Sequence, residues 1–143
     1  MISLPGVSTV IWLEGINDLG PGGATVQSVS DGVREGVKRL RAGIPGVRIY
    51  MATLTGALNS TPAHGTAEVD AKRKEYNQFI RSAGIFDGVI DFDVVTFDAT
   101  TGELKAVYQP NSTVGGPGDK IHPNRAGYAA MGNAIDVDMI VGK

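Results

Sequence analysis

Short apolar runs separated by helical segments constrain the fold of this chain more strongly than any other feature. The first run, VSTVIWL at residues 7–13, is too short for a helix and is almost continuously apolar. Such a run is typical of a parallel strand buried on both faces, which predicts that Trp12 belongs to the core. Residues 47–54 and 88–93 have a similar character and predict a second and a third strand.

Amphipathic segments lie between these predicted strands. Residues 26–40 repeat valine or leucine at intervals of three and four, which predicts a helix with one buried face that ends at Gly43. Thr66 is a plausible N-cap for a second helix that runs to about Ser82, and a third helix is predicted from about Asn124 onward. Between them lies a loop rich in glycine and proline at residues 109–118.

Alternation of strands and helices predicts the architecture. Parallel strands joined by helical crossovers form a sheet that is covered by helices on both faces. We therefore expect residues 1–143 to form a single α/β domain.

Composition excludes several classes of function. Of 143 residues, 42% are apolar and 20% are charged, and the net charge of -2 gives no electrostatic reason to expect a nucleic acid or an anionic membrane as partner. The chain has no cysteine, which excludes thiolate nucleophiles, and only two histidines, which disfavours a metal site. We predict that no metal and no cofactor is needed. The N-terminus has no basic region and is not expected to be a signal peptide.

Two short motifs carry candidate chemistry. Gly15-Ile16-Asn17-Asp18 directly follows the first predicted strand, and ligands of open parallel sheets bind at the carboxyl ends of strands. An asparagine there can direct its amide N–H at a carbonyl oxygen. Taken alone, however, Asn-Asp after a strand is more often an ordinary turn.

The second motif is Asp119-Lys120-Ile121-His122-Pro123, immediately before the last predicted helix. A carboxylate three residues before a histidine can accept a hydrogen bond from its Nδ1–H, which leaves Nε2 free to act as a base. Pro123 keeps His122 out of the α region and so outside the helix. Taken alone, this motif is also compatible with a helix-entry turn that carries a solvated histidine. The other histidine, His64, lies in a polar loop and is expected to be exposed to solvent.

Together and in this order, the two motifs resemble those of the SGNH (GDSL-type) hydrolase family. The resemblance spans essentially the whole chain, from WLEGINDLG to the DxxHP motif and the GY that follows it. It implies a three-layer α/β/α, flavodoxin-like parallel sheet that is incomplete here, with about three of the five strands of that fold. It also implies that Asn17 is an oxyanion donor, His122 a general base and Asp119 the acid that orients it. Gly15 and Asp18 match the flanking turn residues.

The resemblance also implies a feature that this sequence does not show. In that family a serine near the start of the domain attacks the ester carbonyl, and a glycine from a second block adds another oxyanion donor. Only MISLPGV precedes the strand of the GxND block, so both front blocks are expected to be missing. Among the other serines, only Ser60 and Ser112 lie in loops where a substitute is geometrically conceivable. The remaining ones lie in helices, at helix ends or at the start of the first strand (Ser3, Ser8, Ser28, Ser30 and Ser82).

Three functional hypotheses follow from these observations. The chain is the C-terminal portion of a carboxylic-ester or O-acetyl hydrolase that is inactive alone, or half of an enzyme that another chain completes, or a non-enzymatic module for binding or assembly. Its partner would be a small ester once the site is completed. Without its neighbouring strand, the strand at 7–13 would be an apolar unpaired edge, which predicts homo-oligomers paired through this strand.

Overall fold

Three parallel strands form the centre of the fold in the computed structural model, which describes residues 2–142. Strand β2 lies between the other two, and Tyr50 of β2 is in register with Ile11 of β1 and with Gly88 of β3. The strands are β1 (Thr9–Trp12), β2 (Arg48–Ala52) and β3 (Gly88–Ile90).

The predicted strands are all present, but each is shorter than the run that predicted it. The expectation that the third strand extends over residues 88–93 is wrong, because Phe92 and Asp93 begin a short helix. The carboxylate of Asp91 caps this helix by accepting the N–H of Val94 at 3.3 Å, and the N–H of Asp93 donates to the Thr53 hydroxyl at 2.9 Å. These side-chain contacts replace the strand ladder beyond Ile90.

The helices in the described residues follow the predicted alternation. Thr66 caps its helix as predicted, since its hydroxyl accepts the N–H of Val69 at 3.1 Å. Asn124 likewise caps the closing helix by accepting the N–H of Gly127 at 3.1 Å. The helices are α1 (Ile16–Leu19), α2 (Val26–Gly43), α3 (Ala67–Ser82), α4 (Phe92–Thr96), α5 (Arg125–Asn133) and α6 (Val137–Val141), with a 3-10 turn at Ala106–Tyr108.

Both faces of the sheet are covered, as predicted. In strand β2 successive side chains point to opposite faces: Ile49 and Met51 pack in the cluster that contains the buried faces of α2 and α3. Tyr50 and Ala52 pack on the other face, in a cluster with Met131 of α5. Trp12 is only partly buried, but its ring packs so closely on Gly36 of α2 that a Cβ there would lie 2.5 Å from it.

Strand β1 lies at the edge of the sheet and, within residues 2–142, pairs only with β2. Two apolar side chains at this edge are open to solvent, Ile11 at 48% and Leu13 at 39% of their surface. A groove of about 850 Å³ runs along the edge between β1 and α2, and apolar residues form most of its wall. The described helices do not include one that is long and apolar enough to cross a membrane.

Candidate functional site

A cleft of about 230 Å³ lies where the segments after β1 and β2 meet the loop before α5. It is found at the carboxyl ends of the strands, where ligands of open parallel sheets bind. Both sequence motifs contribute to it, although more than a hundred residues separate them. The lining includes Asn17, Thr55, His64, His122, Tyr128 and Met131.

Asn17 reaches the cleft through a sharp reversal of the chain after β1. Gly15 has a φ of +131° and packs directly on Tyr76 of α3, so that a Cβ at this position would lie 2.8 Å from the ring. A side chain at residue 15 would therefore be unfavourable for two reasons: the positive φ strains any residue other than glycine, and the Tyr76 ring occupies the space. The segment that follows is the four-residue helix α1, which carries Asn17 and Asp18 exposed on its surface.

Asp119 and His122 form the predicted pair. The ring Nδ1 of His122 lies 2.6 Å from Oδ2 of Asp119, whose Oδ1 accepts the backbone N–H groups of Ile121 at 3.0 Å and His122 at 2.8 Å. Lys120 between them adopts a left-handed φ of +61°, which folds the turn back on itself. Because a carboxylate can only accept, Nδ1 carries a proton, and in the neutral ring Nε2 then holds the lone pair. Within residues 2–142, no protein group bonds Nε2 of His122.

The charge state of Asp119 supports this assignment. Partial burial by itself would raise the pKa of the Asp119 carboxyl, but the hydrogen bonds from the His122 ring and from two backbone N–H groups outweigh it and hold that pKa below its usual 3.8. Hydrogen bonds to the charged form favour ionisation. Asp119 is therefore a carboxylate at neutral pH and fixes the ring of His122, whose side chain is 56% exposed.

His64 lies in the predicted loop but is less exposed than the sequence predicted. The expectation of a solvated histidine is wrong: the side chain is half-buried and lines the cleft. Its Nε2 lies 2.9 Å from Oδ1 of Asn17, and its Nδ1 lies 2.7 Å from the hydroxyl of Thr61. The contact with Asn17 joins residues 47 positions apart, so no local motif in the sequence signals it.

A buried polar network holds the segment after β2 that forms part of the cleft wall. The side chain of Asn77 accepts the N–H of Leu54 and donates to its C=O, each at 2.8 Å. Arg73, fully buried, donates to the same carbonyl at 3.1 Å and pairs with Asp70 at 2.9 Å and Asp93 at 2.6 Å. Helix α3 thus fixes the backbone next to Thr55, and no local pattern in the sequence indicates this role.

Glu103 connects the two loops that carry the histidines. Its carboxylate accepts a hydrogen bond from the Asn59 side chain at 2.8 Å and from the Lys120 ammonium at 3.1 Å. These bonds, that of Asn59 most of all, lower the pKa of Glu103 below its usual range. Both partners adopt left-handed backbone conformations, with φ of 56° and 61°, at bends of their loops.

The described residues that line the cleft do not include a serine. Ser112 is buried and forms a backbone bridge with Asn124, and the hydroxyl of Ser60 is buried within its own loop. Three of the remaining serines lie in helices α2 and α3, and two precede β1 (Ser28, Ser30 and Ser82; Ser3 and Ser8). Nor do three or more His, Asp or Glu side chains converge anywhere in residues 2–142 as a metal site would require.

Comparison with solved structures supports the fold. A protein from Streptococcus pneumonia, provisionally described as a platelet activating factor, superposes with a TM-score of 0.71 at 17% identity over 92% of this chain and 59% of its own. A protein from Bacteroides fragilis, provisionally described as an acylhydrolase, gives 0.62 at 19% identity over 92% and 61%. The chain therefore spans about three fifths of the length of these structures. The curated proteins do not include a match.

The family assignment comes from sequence. Residues 4–130 match the model of the GDSL-like Lipase/Acylhydrolase family, which is most of the chain and includes both the segment after β1 and the turn before α5. This match agrees with the resemblance noted in the two motifs. The chain belongs to the GDSL-like lipase/acylhydrolase family.

Proposed function

We propose that this chain carries the base, the orienting acid and one oxyanion donor of a hydrolase that cleaves carboxylic esters or O-acetyl groups. The observation that carries the proposal is the 2.6 Å distance between Oδ2 of Asp119 and Nδ1 of His122, a histidine that lines the same cleft as Asn17. A histidine whose Nδ1–H is held by a carboxylate presents Nε2 as a base, and an asparagine amide can bind a developing oxyanion.

In the proposed reaction, His122 takes the proton of a serine hydroxyl as its oxygen bonds to the ester carbonyl carbon. The carbonyl oxygen becomes an oxyanion that accepts a hydrogen bond from the amide of Asn17. The imidazolium, stabilised by Asp119, then returns the proton to the departing alcohol. Water, activated by the same histidine, releases the acid and restores the serine.

We further propose that this chain is inactive alone; the alternative, that another chain completes the enzyme by supplying the serine, makes a different prediction in the experiment below. The support is the cleft itself, whose lining within residues 2–142 includes His122 and Asn17 but not a serine. Removing the serine of such a site costs about 10⁶ in turnover, whereas one oxyanion donor contributes only about 10²–10³. The remaining groups cannot compensate for a loss of that size.

The test is hydrolysis of p-nitrophenyl acetate by the isolated chain and by its His122→Ala variant. We expect equal, background rates for both. Turnover by the isolated chain that disappears in the variant would contradict the proposal of inactivity. If a family segment bearing the serine block restores turnover only with intact His122, the half-enzyme hypothesis is supported. No rescue, together with a stable fold and saturable binding of a partner, would favour the binding module.

The open edge of the sheet suggests that the chain associates with a second copy of itself. We propose that β1 pairs with β1 of a second copy, because its backbone edge is unpaired within the described residues and Ile11 and Leu13 are exposed beside it. Sedimentation of the unmodified chain should show a dimer, and Ile11→Lys should shift it to monomer. Val94→Lys is the matched control, since Val94 is also an exposed aliphatic residue (67%) but lies on α4. A monomeric unmodified chain would overturn this proposal.

A further inference from the structure

We infer that His64 is a positioning residue that sets the orientation of the Asn17 amide, and that the Thr61 hydroxyl holds the His64 ring in place for this. The catalytic meaning of this inference rests on the proposed function, in which Asn17 is an oxyanion donor. The contacts themselves are independent of it.

The loop that carries His64 is a closed turn built on α1. The backbone N–H of Gly65 donates to the C=O of Thr61 at 2.7 Å, and the N–H of Asn59 donates to the C=O of Gly65 at 2.9 Å. Gly20, just after α1, packs so closely that a Cβ there would lie 2.7 Å from the carbonyl oxygen of Ala63 and 3.3 Å from the His64 ring. The imidazole is therefore held against the segment that carries Asn17.

The hydrogen-bond chain admits one consistent assignment of protons. The amide oxygen Oδ1 of Asn17 can only accept, so Nε2 of His64, 2.9 Å away, must carry the donating hydrogen. In the neutral ring Nδ1 is then the acceptor, and the Thr61 hydroxyl at 2.7 Å must donate to it. Thr61, His64 and Asn17 thus form a directional relay.

This relay removes an ambiguity that an asparagine otherwise has. The terminal torsion of an asparagine has broad and roughly two-fold preferences, so the amide can present either its NH₂ group or its oxygen to the same place. An amide oxygen directed at a developing oxyanion would repel it, whereas the NH₂ group stabilises it. By holding Oδ1, His64 leaves the NH₂ group of Asn17 as the free end of the amide.

The experiment is NMR of the ¹⁵N-labelled chain without substrate, which reads the imidazole nitrogens and the Asn17 side-chain amide directly. We expect His64 to be the Nε2–H tautomer, opposite to His122. Thr61→Val, which removes the bond to Nδ1, should let the His64 ring move and so shift the Asn17 NH₂ resonances, and Thr61→Ser, which keeps the hydroxyl, should leave them unchanged. His64→Ala should shift the Asn17 NH₂ resonances, and His64→Gln, which keeps a donor near the position of Nε2, should restore them.

Two results would overturn the inference: an Nδ1–H tautomer of His64 in the unmodified chain, or Asn17 resonances that are the same in His64→Ala and the unmodified chain. If His64→Ala unfolds, the tautomer of His64 in the unmodified chain still decides the matter, because a ring that carries its proton on Nδ1 could not donate to Oδ1 of Asn17. These readings involve no ester turnover. A failure of the proposed function would therefore leave them unchanged, and a failure of the relay would leave the Asp119–His122 pair intact.

Discussion

The two histidines of this chain line one cleft but are bonded in opposite senses. Nδ1 of His122 faces a carboxylate and its Nε2 is free, whereas Nε2 of His64 faces an amide oxygen and its Nδ1 faces a hydroxyl. Because carboxylate and amide oxygens only accept, the nitrogen that faces them carries the proton, and their position decides which neutral ring offers a free Nε2 as a base. Both residues are histidines that line the same cleft, so residue type and location alone would assign them the same role.

The largest expected difference between the two loops is in stability. Asp119 accepts three hydrogen bonds as an ion, whereas Thr61 provides one neutral side-chain bond to His64. Bonds to charged groups contribute about 1.5–3 kcal/mol and neutral ones about 1 kcal/mol. Asp119→Ala should therefore lower the free energy of unfolding by about 2–3 kcal/mol and Thr61→Val by about 1 kcal/mol, as measured by urea denaturation at pH 7. Equal losses would mean that the carboxylate has no special role in its turn.

Chemical modification should separate the two rings next. Diethylpyrocarbonate acylates an imidazole nitrogen that has a free lone pair, which His122 offers at Nε2 and His64 does not. Breaking a net hydrogen bond of about 1.4 kcal/mol corresponds to about a tenfold difference in rate. Mass spectrometry of the two histidine peptides should thus show His122 reacting at least about ten times faster. Thr61→Val should narrow the gap; faster modification of His64 in the unmodified chain would contradict the assignment.

Lowering the pH should destabilise the chain through the carboxylate of the Asp119–His122 pair, because the Thr61–His64 pair contains no carboxylate. The pKa of Asp119 is lower in the folded chain than its usual 3.8, so its contribution to stability is complete above that value and is lost as pH falls through the folded pKa. The difference in free energy of unfolding between the unmodified chain and Asp119→Asn should therefore shrink as pH falls from 5 toward 2. The corresponding difference for Thr61→Val should change less over the same range, because the hydroxyl does not titrate. Parallel profiles for the two variants would refute this.

The smallest effect is expected where the two loops are joined. Glu103→Gln keeps an acceptor for Asn59 but loses the ion pair with Lys120, which is partly exposed at 39%. Pairs near the surface contribute up to about 1 kcal/mol, so the loss of stability should stay within that. NMR should nevertheless show shifts in both histidine loops. Shifts confined to one loop would indicate that Glu103 does not couple them.

Much of the site was predictable because its signals are local. The Asp119–His122 pair spans three residues, so the sequence itself contains both the donor and the acceptor. Thr66 and the spacing of apolar residues in α2 are local in the same sense, and the structure confirms the helices they predicted. The third strand was overestimated because Asp91 and Thr53 compete for the backbone beyond Ile90 through side chains, which hydrophobicity does not report.

Sequence alone determined the α/β class and the order of strands and helices, because periodicity encodes them directly, and the resemblance of its two motifs to a known family directed attention to Asn17, Asp119 and His122. Tertiary structure decided which groups meet in the cleft. His64 joins Asn17 across 47 residues, and Arg73 and Asn77 of helix α3 hold Leu54 after β2. The physical reason is that a hydrogen bond depends on distance and direction in space, and only the packing of α1, α3 and the loops on the sheet sets these.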